Sequence, residues 1–580
     1  MNIIKTIRSE ITNYESKSVE ISDGISRSAH KRIKRIAFFQ NRGGDTDKID
    51  ELGQYQYWLN TAKTYLDASI KNLRIDTKNF LVFSIAPIDD FPAVFTTNCA
   101  LKDYMFDTNR DIELKEDVEY FVGWGNLLWR KLENGHEPCD LMNTYIINQT
   151  AKTVDDSPVI ERHQLTQSQL RAMEGVYNNI DEVIKNCGNK FFSTTNKTTD
   201  EVTTNKIYEI FIRNGEVSEK DLFEAQAKQG GDENKFLLAR IVAVLDKSDK
   251  EGRNYILFAK AFPKNKKMSD FYKEAHFGTY NGTWLREGIY EQLMDYIVAI
   301  REIDNDIQEG LAWASKVVFA SSDNRTFQNI RTDIENGRMI NSKDLRQVDV
   351  RLQNLDQLIT RRNNLIEEMN AITHVFEVIQ GKTPASGVPL GTTKMVDENA
   401  TKYFSNIQTK FTIPLKHVYM EWELPNIVKD LKIQDIIKLT GNNTVLDQFR
   451  KMAVDSWYVK NLAKIGPHTA EMRDQIKAEK VAELSNYDAL IKNMPEIWDG
   501  FLKRAYLTIT GENIDMSENI STLQALLTLE QDPIRRAYIL DLIYSSKGIP
   551  LPPQATPQPI QPQVNPQINP EAISEQPQPI

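Results

Sequence analysis

The tripeptide Gly381-Lys382-Thr383 carries the clearest chemical signal in this sequence, because the same residues end the phosphate-binding loop of many nucleotide-binding proteins. That loop also needs a glycine five positions before Gly381, where this chain has Phe376. It must follow a strand, whereas the residues before Gly381 have the apolar spacing of a helix. The sequence therefore predicts no ATP site here.

Other residue types that support catalysis are present but are not spaced for it. The seven histidines include no HxxxH pair, and no Gly-x-Ser-x-Gly elbow surrounds a candidate nucleophile. Asp89 and Asp90 lie between two prolines, which is typical of a solvent-facing loop. Cys99, Cys139 and Cys187 are widely spaced and are predicted to be buried, reduced thiols. We predict no catalytic residue, no metal and no cofactor.

Length and charge limit the classes of protein that the chain can represent. Its 580 residues exceed what one core usually serves, so two or more packed units are expected. The formal net charge of −10 argues against a protein that coats DNA through bulk basicity, but not against one through which DNA slides. The sequence contains no signal-peptide core and no apolar run of about 18 residues. We expect a protein made and kept in a cytoplasm, with no membrane partner.

Two long amphipathic helices organise the chain. Apolar residues recur at helical spacing from Trp284 to about Trp313, and a matching stripe runs from about Asp349 to Gln380. At about 1.5 Å per residue both helices reach roughly 40 to 50 Å, and such similar lengths suit an antiparallel pair. The side of the first helix opposite its apolar stripe is acidic, with Glu291, Asp295, Glu302, Asp304, Asp306 and Glu309.

A small insertion and a turn-rich loop complete this region. Residues 316–348 predict a strand, a short helix and an extended run, which together form a miniature α/β module at the tip of a helical hairpin. Pro384 and Pro389 cannot continue the second helix because they lack an amide proton. A third helix is predicted to begin near Thr392 or Thr393.

The residues before Asn281 predict further helices and an antiparallel sheet. Three apolar, β-branched runs are typical of neighbouring strands: Ile207–Arg213, Phe236–Asp246 and Asn254–Phe262. We also predict a helix over Tyr55–Leu73, a strand over Phe80–Ile85, and a helix over Leu165–Val183 that opens with a capping box between Thr166 and Gln169.

Two basic clusters and a proline-rich tail have more than one interpretation. The cluster His30–Arg35 is either a solvated helix face or a contact with DNA phosphate or a neighbouring subunit. The lysine-rich loop Lys260–Lys267 is either a solvated turn or a phosphate contact. From Pro550 onward, ten of the 22 prolines fall within 31 residues, so this tail should be disordered or polyproline-like.

The order of long helix, small α/β insert, long helix, Gly/Pro/Ser loop and helix resembles the portal proteins of tailed bacteriophages. The loop Pro384–Leu390 is similar to the Ser-Gly-aliphatic segment that follows the second stem helix in many portals. Upstream, the segments Phe121–Lys131, Tyr145–Ile147 and Val159–His163 are similar to portals of the crAss-like type. The resemblance covers roughly residues 30 to 430 of the chain.

The resemblance implies an α+β, mainly α, portal-type fold. Its parts would be a wing of helices and antiparallel strands (1–280), a first stem helix (281–315), a clip (316–348), a second stem helix (349–380), a tunnel loop (381–393), a wing helix (394–430), C-terminal wing and crown helices (431–549) and a disordered tail (550–580).

The resemblance also implies a function and its residues. The chain would form a ring, dodecameric if it follows the family, at one vertex of a virion capsid assembled in the host bacterial cytoplasm. Double-stranded DNA would pass through the ring, and the partners would be a terminase motor, the major capsid protein and neck or tail adaptor proteins. Implied tunnel-loop contacts are Lys382, Thr383, Ser386, Gly387 and Lys394, the acidic channel face is Glu302, Asp304, Asp306 and Glu309, and the clip contacts are Arg325, Arg331, Arg338 and Lys343.

Alternatives to a channel remain open at this stage. The acidic face is equally typical of an ordinary solvated helix. A helical adaptor or scaffold of a large assembly, which never contacts DNA, would have the same long helices. A nucleic-acid enzyme with carboxylates assembled from distant segments is a third hypothesis, but the sequence nominates no acid for it.

Overall fold

The structure, a computed structural model, describes most of the chain up to Ile509. The described ranges are 3–22, 25–40, 61–73, 80–85, 90–187, 189–190, 206–245, 255–314, 318–320, 346–348, 355–375, 390–430, 469–483 and 500–509, with isolated residues at 75 and 77 and between 451 and 465. All of them belong to one compact unit, Met1–Gly511. This unit is a mixed α+β fold with antiparallel sheets, as the composition of predicted elements indicated.

Helices and strands alternate irregularly along the unit. The helices are α1 (Ile3–Ser16), α2 (Ala29–Gln40), α3 (Thr61–Leu73), α4 (Phe91–Asp107), α5 (Arg110–Glu119), α6 (Gln167–Ala172), α7 (Ile180–Asn186), α8 (Glu219–Ala225), α9 (Ile289–Ala314), α10 (Leu355–Thr373), α11 (Leu390–Val418), α12 (Leu424–Asp430), α13 (Ala470–Glu483) and α14 (Phe501–Arg504). The strands are β1 (Val19–Ser22), β2 (Ile25–Arg27), β3 (Phe80–Ser84), β4 (Asn126–Leu132), β5 (Gly135–Pro138), β6 (Thr144–Ile146), β7 (Val159–Thr166), β8 (Asn189–Lys190), β9 (Lys206–Ser218), β10 (Phe236–Val244), β11 (Tyr255–Ala261), β12 (Tyr272–His276), β13 (Val318–Ala320), β14 (Arg346–Val348) and β15 (Ala505–Ile509).

The largest sheet has six strands in the order β11-β10-β9-β7-β6, with β8 paired to β9. Three of its strands, β9, β10 and β11, are the runs predicted from β-branched residues, and their antiparallel pairing is confirmed. One face covers a small core under α6 and α7, where Leu170, Val183 and Leu257 are fully buried. The sheet therefore joins the small core to the main one.

The main core lies between the three-stranded sheet β12-β4-β5 and the helices around it. The buried ring of Phe411 on α11 lies 5.1 Å from the ring of Phe121 and 5.9 Å from that of Trp129. Phe121 belongs to a π-helical turn, Tyr120–Trp124, that connects α5 to β4, and a second such turn, Tyr419–Glu423, continues α11. Aromatic packing thus fixes α11 across β4.

Two predictions from the sequence are wrong in detail. The helix predicted over Leu165–Val183 is two short helices, α6 and α7, although the capping box between Thr166 and Gln169 is present. The prediction of a solvent-facing Asp90 is also wrong, because its side chain is buried. Its carboxylate accepts hydrogen bonds from Ser84 Oγ at 2.5 Å and from Arg504 Nη2 at 2.7 Å. Asp90 thereby ties the sheet of β3 and β15 to α14, a long-range contact that local sequence does not reveal.

The predicted burial of cysteine thiols is confirmed at Cys139 and Cys187, while Cys99 is half-buried. Both buried residues face apolar neighbours, and burial raises the pKa of the Cys139 thiol well above its ordinary value. None of the described helices has both the length and the apolar character needed to cross a membrane.

Candidate functional site

The long helices α9 and α10 pack on one another as the two arms of a hairpin. At about 1.5 Å per residue, the 26 residues of α9 span about 39 Å and the 19 described residues of α10 about 28 Å. β13, which follows α9, pairs antiparallel with β14, which precedes α10, from Val318 opposite Val348 to Ala320 opposite Arg346. Between the arms, Arg362 Nε donates to Asp304 Oδ1 over 2.6 Å.

A close crossing of two backbone segments holds the start of α9. A Cβ atom added to Gly288 would lie 2.2 Å from the backbone nitrogen of Gly125, where real Cβ atoms do not come. Gly125 itself has a φ of +78°, a left-handed conformation that favours glycine. The buried side chain of Asn126 reinforces the crossing, since its Oδ1 accepts from the Arg286 nitrogen at 2.8 Å. These contacts fix where α9 leaves the main core.

The acids at the beginning of α9 are ion-paired with basic residues near the N-terminus of the chain. We call Glu287, Glu291 and Asp295 the paired acids. Arg32 Nε and Nη2 donate to the two carboxylate oxygens of Glu291 over 2.7 and 2.6 Å, and Arg32 Nη1 also donates to the Leu285 carbonyl. Arg27 pairs with Glu287 at 3.3 Å, and Arg35 pairs with Asp295 at 2.5 Å. Arg32 of the His30–Arg35 cluster therefore contributes a largely covered intramolecular contact, whereas the pair formed by Arg35 is exposed.

The acids further along α9 have a different environment. Glu302, Asp306 and Glu309 are exposed, and no ion pair joins them to another residue that the structure describes. We call these three the acidic ridge. Asp304, which the sequence assigned to the same face, instead contacts Arg362 of α10 and is largely covered, at 20% side-chain exposure. The apolar stripe of α9 becomes less covered in the same direction, from buried Ile297 to Leu311, which is 49% exposed.

Most of the other residues nominated by the sequence lie outside the described residues. These are Lys382, Thr383, Ser386 and Gly387 of the loop, and Arg325, Arg331, Arg338 and Lys343 of the insertion. Lys394 lies in the second turn of α11, of which only the backbone is described at that point. Of the four nominated channel acids, Glu302, Asp306 and Glu309 thus face solvent and Asp304 is ion-paired, while the nominated loop and clip contacts lie outside what the structure describes.

A buried polar network lies beneath Gly135 and was not predicted. The Glu423 carboxylate, in the second π-helical turn, accepts from Tyr104 OH at 2.6 Å and from Arg110 Nη2 at 3.2 Å, and it also contacts His136 Nδ1. Burial raises the pKa of Glu423, but the hydrogen bonds from His136 and Tyr104 outweigh that effect and hold it below its usual value. Because these residues come from four separate elements, no spacing in the sequence indicates the network.

A second buried carboxyl, Asp117 of α5, forms no ion pair with any residue in the described ranges, and the charge of Arg110 offsets its burial only in part. Asp117 Oδ2 accepts from Trp129 Nε1 over 2.9 Å, whereas Oδ1 has no hydrogen-bond partner in the described part of the chain. Burial, with a smaller contribution from the charge of Glu113, raises the pKa of Asp117 to about 7. The carboxyl is therefore close to half protonated at neutral pH.

Neither of these buried carboxyls forms an accessible reaction site. Glu423 and Asp117 have exposed fractions of 1% and 2%, so a substrate cannot reach them without rearrangement of the core. Within the described ranges, no group of three or more His, Cys, Asp or Glu side chains converges as metal ligands would. The network around Glu423 joins α4, α5 and β5 to the end of α11, which is a structural role.

Comparison with known proteins adds no relative: the chain matches no protein-family model and no curated protein sequence. Among the described residues, the hairpin of α9 and α10 is the part of the fold that carries the exposed acidic ridge.

Proposed function

We propose that this chain is the portal protein of a tailed bacteriophage, forming a ring at one capsid vertex through which double-stranded DNA is packaged and ejected. The observation that carries the proposal is the acidic ridge on the less covered half of α9. In a ring, α9 and α10 would be the stem, the segment between β13 and β14 the clip, and the segment between α10 and α11 the tunnel loop. The sheets and helices before α9 would form the wing.

The acidic ridge would act by repulsion rather than by binding. DNA phosphates and carboxylates carry the same charge, and in a narrow channel their interaction extends over a Debye length of about 8 Å at physiological salt. A wall that repels phosphate keeps the duplex from adhering and so lowers friction during translocation. Leu311, which is exposed on the same half, would be covered by a neighbouring subunit of the ring.

This function assigns partners to the parts of the chain. The clip would dock the terminase motor during packaging and the neck or tail adaptor proteins afterwards, and the wing would contact the major capsid protein. ATP hydrolysis would belong to the motor, because the chain carries no phosphate-binding loop of its own at Gly381. The ring would therefore act as a passive channel.

Electron microscopy of the purified chain tests the proposal directly. We expect rings with a central hole wide enough for a DNA duplex, about 20 Å or more. Monomers, dimers or filaments without an axial hole at high protein concentration would contradict it and would favour a helical adaptor or scaffold protein. A packaging assay with the deletion of residues 382–393 then tests the loop: rings should persist while packaging or DNA retention falls.

A further inference from the structure

A cavity of about 460 Å³ lies between the β1–β2 hairpin, the first turns of α2 and the start of α9. Its size is within the range of pockets that hold small ligands. Three serines, four basic side chains and two glutamates line it, and the one apolar lining residue is the buried Met294. So polar a lining around an open space suits a charged ligand.

The charges around the cavity leave a positive surplus. Glu291 is fully engaged by the two short hydrogen bonds from Arg32. Glu287 is held more loosely by Arg27, at 3.3 Å and with both side chains more than a third exposed. Lys31 is exposed, and its ammonium group forms no ion pair with any residue in the described ranges. A ligand that enters the cavity therefore meets Lys31, which has no ion-pair partner among the described residues, and a second cation, Arg27, that can exchange partners.

Hydroxyl groups add hydrogen-bond donors at the same place. Ser28 Oγ accepts from the Lys31 backbone nitrogen at 3.4 Å, which leaves its own proton available to donate. Ser26, the central residue of β2, is exposed and lines the same cavity. Donors from a strand, a helix start and two basic side chains thus face one space, an arrangement that suits an anion with several acceptor oxygens in different directions.

We propose that this cavity binds a phosphate group, with Lys31, Ser26 and Arg27 as the donors. A phosphate presents several oxygens in a tetrahedral arrangement, whereas a carboxylate presents two in one plane, so the phosphate better matches donors on different walls. The group is carried either by a small free phosphate or by the backbone of a nucleic acid. The site is separate from the acidic ridge and lies at the other end of α9.

Calorimetric titration of the full-length protein with inorganic phosphate, at constant ionic strength, tests the site. Lys31→Ala should raise the Kd for phosphate about tenfold or more, because it removes a charged donor. Lys34→Ala is the matched control: it removes the same charge from an exposed position three residues along α2 that does not line the cavity, and it should change Kd less than about twofold. Equal effects of the two variants, or no saturable binding, would overturn the proposal.

A variant that is expected to bind phosphate more tightly excludes misfolding as the cause of a changed affinity. Glu287→Gln releases Arg27 from its ion pair and removes a negative charge from the wall, so phosphate should bind several times more tightly. Unchanged or weaker binding by this variant would contradict the assignment of Arg27 as a donor. A loss of fold cannot produce the expected gain.

A short DNA duplex distinguishes the two sources of the phosphate group. If the natural ligand is a nucleic-acid backbone, the duplex should displace inorganic phosphate, and Lys31→Ala should weaken duplex binding more than Lys34→Ala does. If it is a small phosphate, both variants should affect the duplex equally while phosphate binding keeps its dependence on Lys31. None of these measurements requires a ring. If the chain is monomeric and still binds phosphate, the portal proposal fails while the phosphate site stands.

Discussion

The two halves of α9 carry acids of the same type but in opposite circumstances. At the start of α9 and just before it, Arg27, Arg32 and Arg35 face the paired acids, of which Glu291 is the most covered and Asp295 is exposed. The apolar residues Leu293 and Ile297 of the same half are buried. In the second half, the acidic ridge faces solvent and the apolar stripe ends at an exposed Leu311. Within the described residues, this helix therefore contains both acids that are held in an ion pair and acids that are not.

This contrast teaches that an acidic face on a helix cannot be treated as a single feature. A carboxylate held by a bidentate arginine is committed to the fold, because its removal leaves a partly covered cation without its partner. A carboxylate in solvent contributes little to stability and repels its like-charged neighbours on the same helix face. Only the second kind is available to act on a passing polyanion.

The largest effect on stability is expected at the backbone crossing that holds the start of α9. Gly288→Ala should destabilise the fold by about 3 kcal/mol or more, since the new Cβ would overlap the Gly125 backbone and force α9 away from the core. Gly175→Ala is the control, because Gly175 has a φ of +94° but nothing within 4 Å of an added Cβ, and backbone strain alone should cost about 1 kcal/mol. Chemical denaturation measures the free energy of unfolding of both variants. Equal losses of stability would show that the crossing of Gly288 and Gly125 is not tight.

Asp117 extends the comparison to an acid that is buried without an ion pair to any described residue. Its pKa is about 7 in the folded state against an ordinary value of 3.8, so the folded protein holds a proton that the unfolded chain releases. Stability should therefore fall as the pH rises from about 4 to about 7 and then level off.

Asp117→Asn should remove that part of the pH dependence. At pH 8 the variant should be more stable than the parent by on the order of 3 kcal/mol. Near pH 3.5 the two should be similar, because Asp117 is then neutral in the folded state and mostly neutral in the unfolded state. Denaturation midpoints across this pH range provide the measurement. If the parent instead became more stable as Asp117 ionises, stability would rise with pH, which would contradict the effect assigned to burial.

A pair of matched substitutions compares the two halves of α9 directly. Arg32→Gln leaves Glu291, at 22% side-chain exposure, without its two charge-assisted hydrogen bonds and should cost about 2 kcal/mol. Asp306→Asn, on the acidic ridge, should change stability by less than about 0.5 kcal/mol. Thermal or urea unfolding distinguishes them. If Asp306→Asn proves as costly as Arg32→Gln, the ridge is not free and the contrast fails.

Local patterns in the sequence predicted the helices and strands more reliably than the contacts between them. The strands β9, β10 and β11 follow from β-branched runs, and α9 follows from apolar spacing, because each pattern is set by one element's own burial. The ion pairs of Arg32, the burial of Asp90 and the network around Glu423 join residues 259, 414 and 313 positions apart. No local periodicity encodes such partners, so the acidic face of α9 looked uniform in the sequence.

The acidic ridge should show the smallest effect on stability and the most specific effect on function. A variant with Glu302→Gln, Asp306→Asn and Glu309→Gln removes three like charges and should unfold within about 0.5 kcal/mol of the parent, with rings intact. If the ridge lines a DNA channel, these rings should bind a duplex several times more tightly at about 0.1 M salt, and the difference should shrink as salt screens the charges. Packaging should slow because the wall no longer repels phosphate.

The control for that variant must change the net charge equally while leaving α9 untouched. Three exposed acids of α13 meet this requirement when they are neutralised as Glu471→Gln, Asp474→Asn and Glu479→Gln. Fluorescence anisotropy over a salt series should give the control the same Kd for the duplex as the parent, since bulk charge acts weakly beyond a Debye length. If both triple variants tighten DNA binding alike, the effect comes from net charge. The second half of α9 would then be an ordinary solvated helix, and the proposal would lose the observation on which it rests.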